Sequence, residues 1–228
     1  MKLIIGNWKM NGNMDEKNFL FKDISNTKTK NKVIMCLPFT LLWGDSFGVT
    51  LGAQDVSNHE NGAYTGDISV SMLKDAGVKY VIVGHSERRT FHNETNETVK
   101  EKATLAIKNG IIPVVCIGET MEEKNAGHTT AVIKKMLTES MPDNGEFVVA
   151  YEPRWAIGTG VTPTTSEIVS AVKTVFDALP TPMPILYGGS INANNAKEIV
   201  SIPYVDGLLV GGASLKSETF LPIIKSIN

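Results

Sequence analysis

Short apolar runs recur along the chain, and between most of them the apolar residues fall at helical spacing. Leu3–Gly6, Lys32–Leu37, Thr50–Gln54, Tyr80–Gly84, Ile112–Ile117, Phe147–Tyr151, Pro184–Tyr187 and Val205–Val210 predict eight strands. Met14–Ile24, Ile68–Ala76, Asn93–Lys108, Met121–Glu139 (broken near Gly127), Ser166–Leu179, Ala193–Val200 and Ser217–Ile227 predict helices. A short segment, Thr40–Trp43, follows Pro38, and Gly77 and Gly110 stand where a helix ends in a left-handed residue. Several strand runs are apolar throughout, which requires cover on both faces. The 228 residues divided among eight units leave about 28 each, near the minimum for a β-then-α repeat. The pattern predicts an α/β fold, a single (β/α)8 barrel domain over residues 1–228. A doubly wound open sheet is the alternative. Such sheets commonly mark the first turn with a glycine-rich nucleotide loop, and none follows Gly6.

Composition narrows the function classes. Apolar residues make up 42% and charged residues 20%, as in a globular protein with a sizeable core. A net charge of −2 gives no electrostatic footprint for nucleic acid or an acidic membrane surface. Leu3-Ile4-Ile5 after Lys2 is too short for a signal-peptide core, and no run approaches the ~20 apolar residues of a membrane span. Cys36 and Cys116 each lie inside an apolar run and read as reduced core residues of a cytoplasmic protein.

The polar residues just beyond the strands carry the chemistry, because a barrel gathers them on one face. Glu152 ends the sixth strand; Pro153 stops further pairing, and Gly158 and Gly160 let a loop approach a ligand with its backbone. Asn7-Trp8-Lys9 follows the first strand. Lys9 is either a solvated charge or an ammonium facing an anion, and its apolar neighbours Trp8 and Met10 favour the second. Gly84-His85-Ser86-Glu87-Arg88-Arg89 follows the fourth strand; a lone strand-end histidine is more often structural than catalytic, and the charges around it shift that balance modestly. Glu119 follows the fifth strand. Tyr187-Gly188-Gly189-Ser190 and Gly211-Gly212-Ala213-Ser214 present backbone N–H groups at helix starts, the form of a phosphate cradle, although a glycine pair also makes plain turns. Together these groups describe a proton-transfer site for a small phosphorylated substrate. His59, His85, His92 and His128 show no metal-ligand spacing, and neither a nucleophile elbow nor a P-loop is present.

In order and spacing, Asn7–Gly12, Gly84–Arg89, Tyr151–Pro153, Trp155–Gly160, Tyr187–Ser190 and Gly211–Ser214 resemble the triosephosphate isomerase family from the first strand to the last helix. The resemblance implies a TIM barrel that interconverts dihydroxyacetone phosphate and glyceraldehyde 3-phosphate without cofactor or metal, a step shared by glycolysis and gluconeogenesis. It implies Glu152 as base, His85 as electrophile, Asn7 and Lys9 as stabilisers of negative charge, and Glu87 as electrostatic support for Lys9. This base–imidazole pair is a standard worked case of carboxylate and neutral histidine chemistry. Gly158, Ser190, Gly211 and Gly212 would hold the phosphate. Pro153, Trp155, Ala156, Ile157, Gly158, Thr159 and Gly160 would form a closing lid, with the indole of Trp155 leaning on Glu119 when the lid is open. A homodimer is implied, made through the 55–67 loop, whose tip around Ala63-Tyr64-Thr65-Gly66 would enter the partner subunit.

Departures accompany the likeness. The chain is shorter than most members, chiefly after strands two and six. Asp55 stands where Asn is usual and Asp67 where Glu is usual, and the shorter acid puts the family's contact to Arg88 across the interface in doubt. Arg154 replaces an aliphatic hinge residue. Val161-Thr162-Pro163 forms the second hinge; the family's tyrosine bonds a backbone N–H at the position of Pro163, which has none, so Tyr187 loses that latch. Two other readings compete. A different phosphate-binding barrel enzyme would keep the glycine cradle without the histidine motif and the lid, and a non-enzymatic barrel would have no reason to keep Lys9, His85 and Glu152 together.

Overall fold

The computed structural model describes residues 1–157 and 162–228. Eight parallel strands close into a barrel: β1 (Leu3–Asn7), β2 (Lys32–Leu37), β3 (Thr50–Ala53), β4 (Tyr80–Val83), β5 (Ile112–Ile117), β6 (Val148–Tyr151), β7 (Ile185–Tyr187) and β8 (Gly207–Val210). Each pairs with its sequence neighbour, and β1 closes on β8 with Leu3 opposite Gly207 and Gly6 opposite Val210. The open-sheet alternative is therefore excluded. The helices are α1 (Met14–Ser25), α2 (Val70–Asp75), α3 (Ser86–Phe91), α4 (Asn96–Lys108), α5 (Met121–Asn125), α6 (Thr129–Ser140), α7 (Thr165–Ala178), α8 (Ala196–Ser201) and α9 (Ser217–Ser226).

Strand phase decides what the barrel encloses. Ile5, Ile34, Cys36, Ile82, Val114, Cys116, Ala150 and Leu209 fill the interior as one cluster, while the alternate residues pack outward against the helices. Continuing that phase by one inward step takes Ile5 to Asn7 and Ala150 to Glu152, so these two polar positions are set by pleat alone. Both cysteines are free and buried.

One local difference from the sequence reading and one predicted break have plain causes. The helix read over Asn93–Lys108 is α4, and the reading missed the short α3 before it, because the only buried residue of α3 is Ser86 and it therefore shows no apolar period. Asn93, at φ 55°, turns the chain between α3 and α4. The break near Gly127 separates α5 from α6, with Gly127 in the left-handed region that glycine tolerates. Between β2 and β3 lies only a 3-10 turn, Phe39–Leu41, consistent with shortening after strand two. After β6 comes α7, whose 14 residues make it the longest described helix. Capping boxes start α1 (Asn13 with Glu16), α5 (Thr120 with Glu123) and α7 (Thr164 with Glu167). Among the described residues no helix is long and apolar enough to cross a membrane.

Candidate active site

Asn7, Lys9, His85, Glu152, Ile157, the glycines 188, 189, 211 and 212, and Ser190 line one cavity of about 250 Å³ at the carboxyl end of the barrel. A larger groove, about 670 Å³ between α1 and the start of α9, holds no base paired with an electrophile, so size does not identify the site.

The first loop is built to present Lys9. Asn7 Oδ1 accepts the backbone N–H of Lys9 at 3.0 Å, and Lys9 sits at φ 55°, a left-handed conformation that a side-chain-bearing residue adopts only under local constraint. The Lys9 ammonium donates to Glu87 at 2.6 Å and remains partly exposed toward the cavity. Asn7 lines the same cavity.

His85 caps α3 with its own side chain. Nδ1 accepts the N–H of Glu87 at 3.2 Å, which leaves Nε2 as the donor, 3.2 Å from Glu152 Oε1. Burial lowers the imidazole pKa; the Glu152 carboxylate more than offsets this, and Glu87 adds to the rise while Lys9 opposes it, so the net direction is upward. The amide aimed at Nδ1 opposes a second ring proton, and geometry outranks the upward pull in setting the tautomer. Of the influences other than Glu152, burial, the largest, and Lys9 favour the neutral ring, and Glu87 opposes them.

Glu152 is almost wholly buried, with Oε2 accepting the Ser86 N–H at 3.4 Å. Burial would push its carboxyl up, but His85, the Ser86 amide and Lys9 outweigh it and hold the pKa below the usual range. Close packing fixes its backbone: a Cβ on Gly118 would lie 1.8 Å from the Glu152 carbonyl oxygen, and one on Gly188 would lie 2.8 Å from its Cγ. These two glycines are required where they stand. The Ser86 amide and the Gly118 contact escaped the sequence reading, because backbone donors and close approaches leave no side-chain signal.

Beyond Glu152, Arg154–Ala156 forms a 3-10 turn that buries Trp155. The indole donates to Glu119 at 2.9 Å, and Glu119 also accepts from the Tyr151 hydroxyl at 3.2 Å. Arg154 donates to Thr90 on α3 at 2.7 Å. Tyr187 is fully buried and its hydroxyl has no partner among the described residues. Gly158, Thr159 and Gly160, the centre of the expected lid and one of the expected phosphate donors, lie outside the described residues.

Behind α3 a second charge cluster is closed on itself. Asp55 meets Arg88 at 2.8 Å and Lys102 at 2.7 Å, and Glu94 meets both cations at 2.5 Å. Arg88 is thus engaged within its own chain, and Asp67 accepts instead from Ser57 at 2.6 Å.

The family model described as Triosephosphate isomerase matches residues 2–227. A triosephosphate isomerase of Paracidovorax citrulli is 46% identical over 243 residues, covering 98% of this chain and 97% of that protein. One from Alkaliphilus oremlandii is 46% identical over 242 residues, covering 97% and 98%. The crystal structure of triosephosphate isomerase from Bartonella henselae superposes with a TM-score of 0.89 at 34% identity, covering 99% of this chain and 98% of that one.

Proposed function

The chain belongs to the triosephosphate isomerase family, enzymes that interconvert triose phosphates, and we propose that it does so by proton transfer between Glu152 and an enediolate held by His85, Lys9 and Asn7. The observation that carries this reading is the 3.2 Å contact of a buried carboxylate with the Nε2–H of an imidazole, in a cavity backed by glycines. Glu152 and His85 bond one another at rest, so a substrate carbonyl must take the imidazole donor and free the carboxylate. Glu152 then removes a proton from the carbon beside that carbonyl. The electron pair moves onto the carbonyl oxygen, where the Nε2–H, the Asn7 amide and the Lys9 ammonium meet the developing negative charge. Glu152 returns the proton to the neighbouring carbon while the hydroxyl proton passes between the two oxygens, so atoms and electrons balance within the substrate. No cofactor or metal is needed for such a step.

Open N–H groups at Gly211 and Gly212, with Ser190, suit the phosphate; added Cβ atoms at the two glycines would meet nothing closer than 3.5 Å, leaving room for the ligand. Gly158 belongs to this cup by resemblance, and Pro153 through Gly160 form the lid. In a coupled assay we expect turnover of glyceraldehyde 3-phosphate; none would favour a different phosphate-binding barrel enzyme. We also propose a cytoplasmic homodimer joined through the 55–67 loop. Large apolar side chains stand exposed on the loops after β1, β2 and β3, Met10 (96%), Trp43 (61%) and Tyr64 (45%), which a partner would cover. Sedimentation of a fully active monomer would sink the dimer.

A further inference from the structure

Glu152 must leave His85 for the reaction to proceed, and the residue two positions beyond Pro153 is pinned. Trp155 donates to Glu119, and the Lys124 ammonium lies over its ring at 3.3 Å from the centroid, a short cation–π contact. The same ammonium meets Glu167 Oε1 at 2.8 Å. Glu167 in turn accepts the Thr164 N–H at 2.7 Å and the Thr164 hydroxyl at 2.9 Å, capping α7. Lys124 and the Thr164 cap together bring the Glu167 carboxyl down to about 2, so it stays charged throughout the working pH range. One cation on α5 therefore touches the segment just after the base and, through a carboxylate, the segment just before α7.

We propose that Lys124 is a positioning residue that couples these two flanks and biases Glu152 toward its resting pose against His85 and Ser86. This rests on Glu152 being the base. The Glu152 backbone runs directly into Pro153 and the Arg154–Ala156 turn, and any shift of that turn takes Trp155 off the Lys124 ammonium. Thr164 is held by the same cation through Glu167, so release of one flank loosens the other. Arg154, bonded to Thr90, tethers the first flank only and cannot supply this coupling.

The test uses the full-length enzyme with Lys124→Met, Lys124→Arg and Glu167→Gln. The probe is 2-phosphoglycolate, whose carboxylate and phosphate mimic a phosphorylated enediolate. Lys124→Met should lower KM and the dissociation constant of 2-phosphoglycolate together by about two- to fivefold, the factor one exposed cation–π contact carries, with kcat unchanged or reduced. Lys124→Arg keeps both contacts and should restore wild-type values. Glu167→Gln retains an acceptor for Thr164 but loses the charge. In protein labelled with 5-fluorotryptophan it should shift the Trp155 fluorine resonance, assigned with Trp155→Phe, although Glu167 acts on that ring through Lys124. Weaker binding in Lys124→Met with a lowered Tm would show a merely structural lysine and overturn the proposal. An unmoved Trp155 resonance in Glu167→Gln would overturn the coupling. If the wild type turned over no triose phosphate, the functional reading would fail by itself, while the binding and fluorine measurements would still judge Lys124.

Discussion

Helix α3 separates two charge clusters that use the same chemical groups to opposite ends. On one side Lys9, Glu87, His85 and Glu152 form an open chain whose last links, from Glu152 to His85 and to Ser86, run 3.2 to 3.4 Å. On the other side Asp55, Arg88, Glu94 and Lys102 form a closed square with contacts of 2.5 to 2.8 Å. Adjacent residues, Glu87 and Arg88, commit the helix to both. In the square each cation is shared by two carboxylates, so no member can leave without stranding another in a buried place. In the chain Glu152 is held loosely and faces a cavity, so a ligand can replace its partner. Partner count and contact length, not the kind of residue, distinguish a brace from a reaction centre.

Four experiments break or sharpen this contrast. Glu152→Gln should lower kcat by about 10²–10⁴-fold while 2-phosphoglycolate still binds and the melting temperature holds. A variant keeping a tenth of the wild-type kcat would remove Glu152 from the base role. Lys102→Met should do the reverse. It leaves two carboxylates sharing one guanidinium, and the loss in urea unfolding should reach about 3–5 kcal/mol with kcat of the folded fraction preserved. A fall in kcat without a stability change would mean that the square tunes chemistry rather than bracing it.

The third experiment is titration. Glu152 holds the His85 pKa up, so NMR titration of the imidazole in Glu152→Gln should show a lower value than in wild type. The signs follow from linkage. The raised His85 contributes stability below its unfolded pKa, lost as pH rises through the folded value. The depressed Glu152 contributes stability above its unfolded pKa, lost as pH falls through its folded value. The pair therefore adds most between the two unfolded values, and an unchanged imidazole titration in the variant would show that the pair is not coupled.

The smallest effect is expected at Tyr187, whose hydroxyl has no described partner. Tyr187→Phe should change kcat/KM by less than about 1 kcal/mol, and by more in a Pro163→Ala background, where a backbone donor returns. Equal changes in both backgrounds would show that residue 163 has no part in holding this tyrosine.

Much of this was legible in the chain. Eight apolar runs predict the barrel, and strand pleat carries Asn7 and Glu152 inward, one step past Ile5 and Ala150; His85 falls out of phase with Ile82 and is placed by the start of α3. Capping signals such as Asn13 with Glu16 and Thr164 with Glu167 mark helix starts, since each satisfies backbone donors with a neighbour in sequence. What periodicity could not show was α3, too short and too polar to carry a stripe, although it orients His85 and parts the two charge clusters.

The order of the elements and the candidate site residues were thus legible in the sequence alone, through interactions that span a few residues. Only the closed barrel decided which charges meet. Asp55 and Lys102 stand 47 positions apart, and Glu152 stands 66 from Ser86. Whether a lysine braces a buried square, lines a cavity or pins an indole depends on which carboxylate or ring the fold delivers within about 3 Å of its ammonium. Lys102, Lys9 and Lys124 are the same residue in three such places.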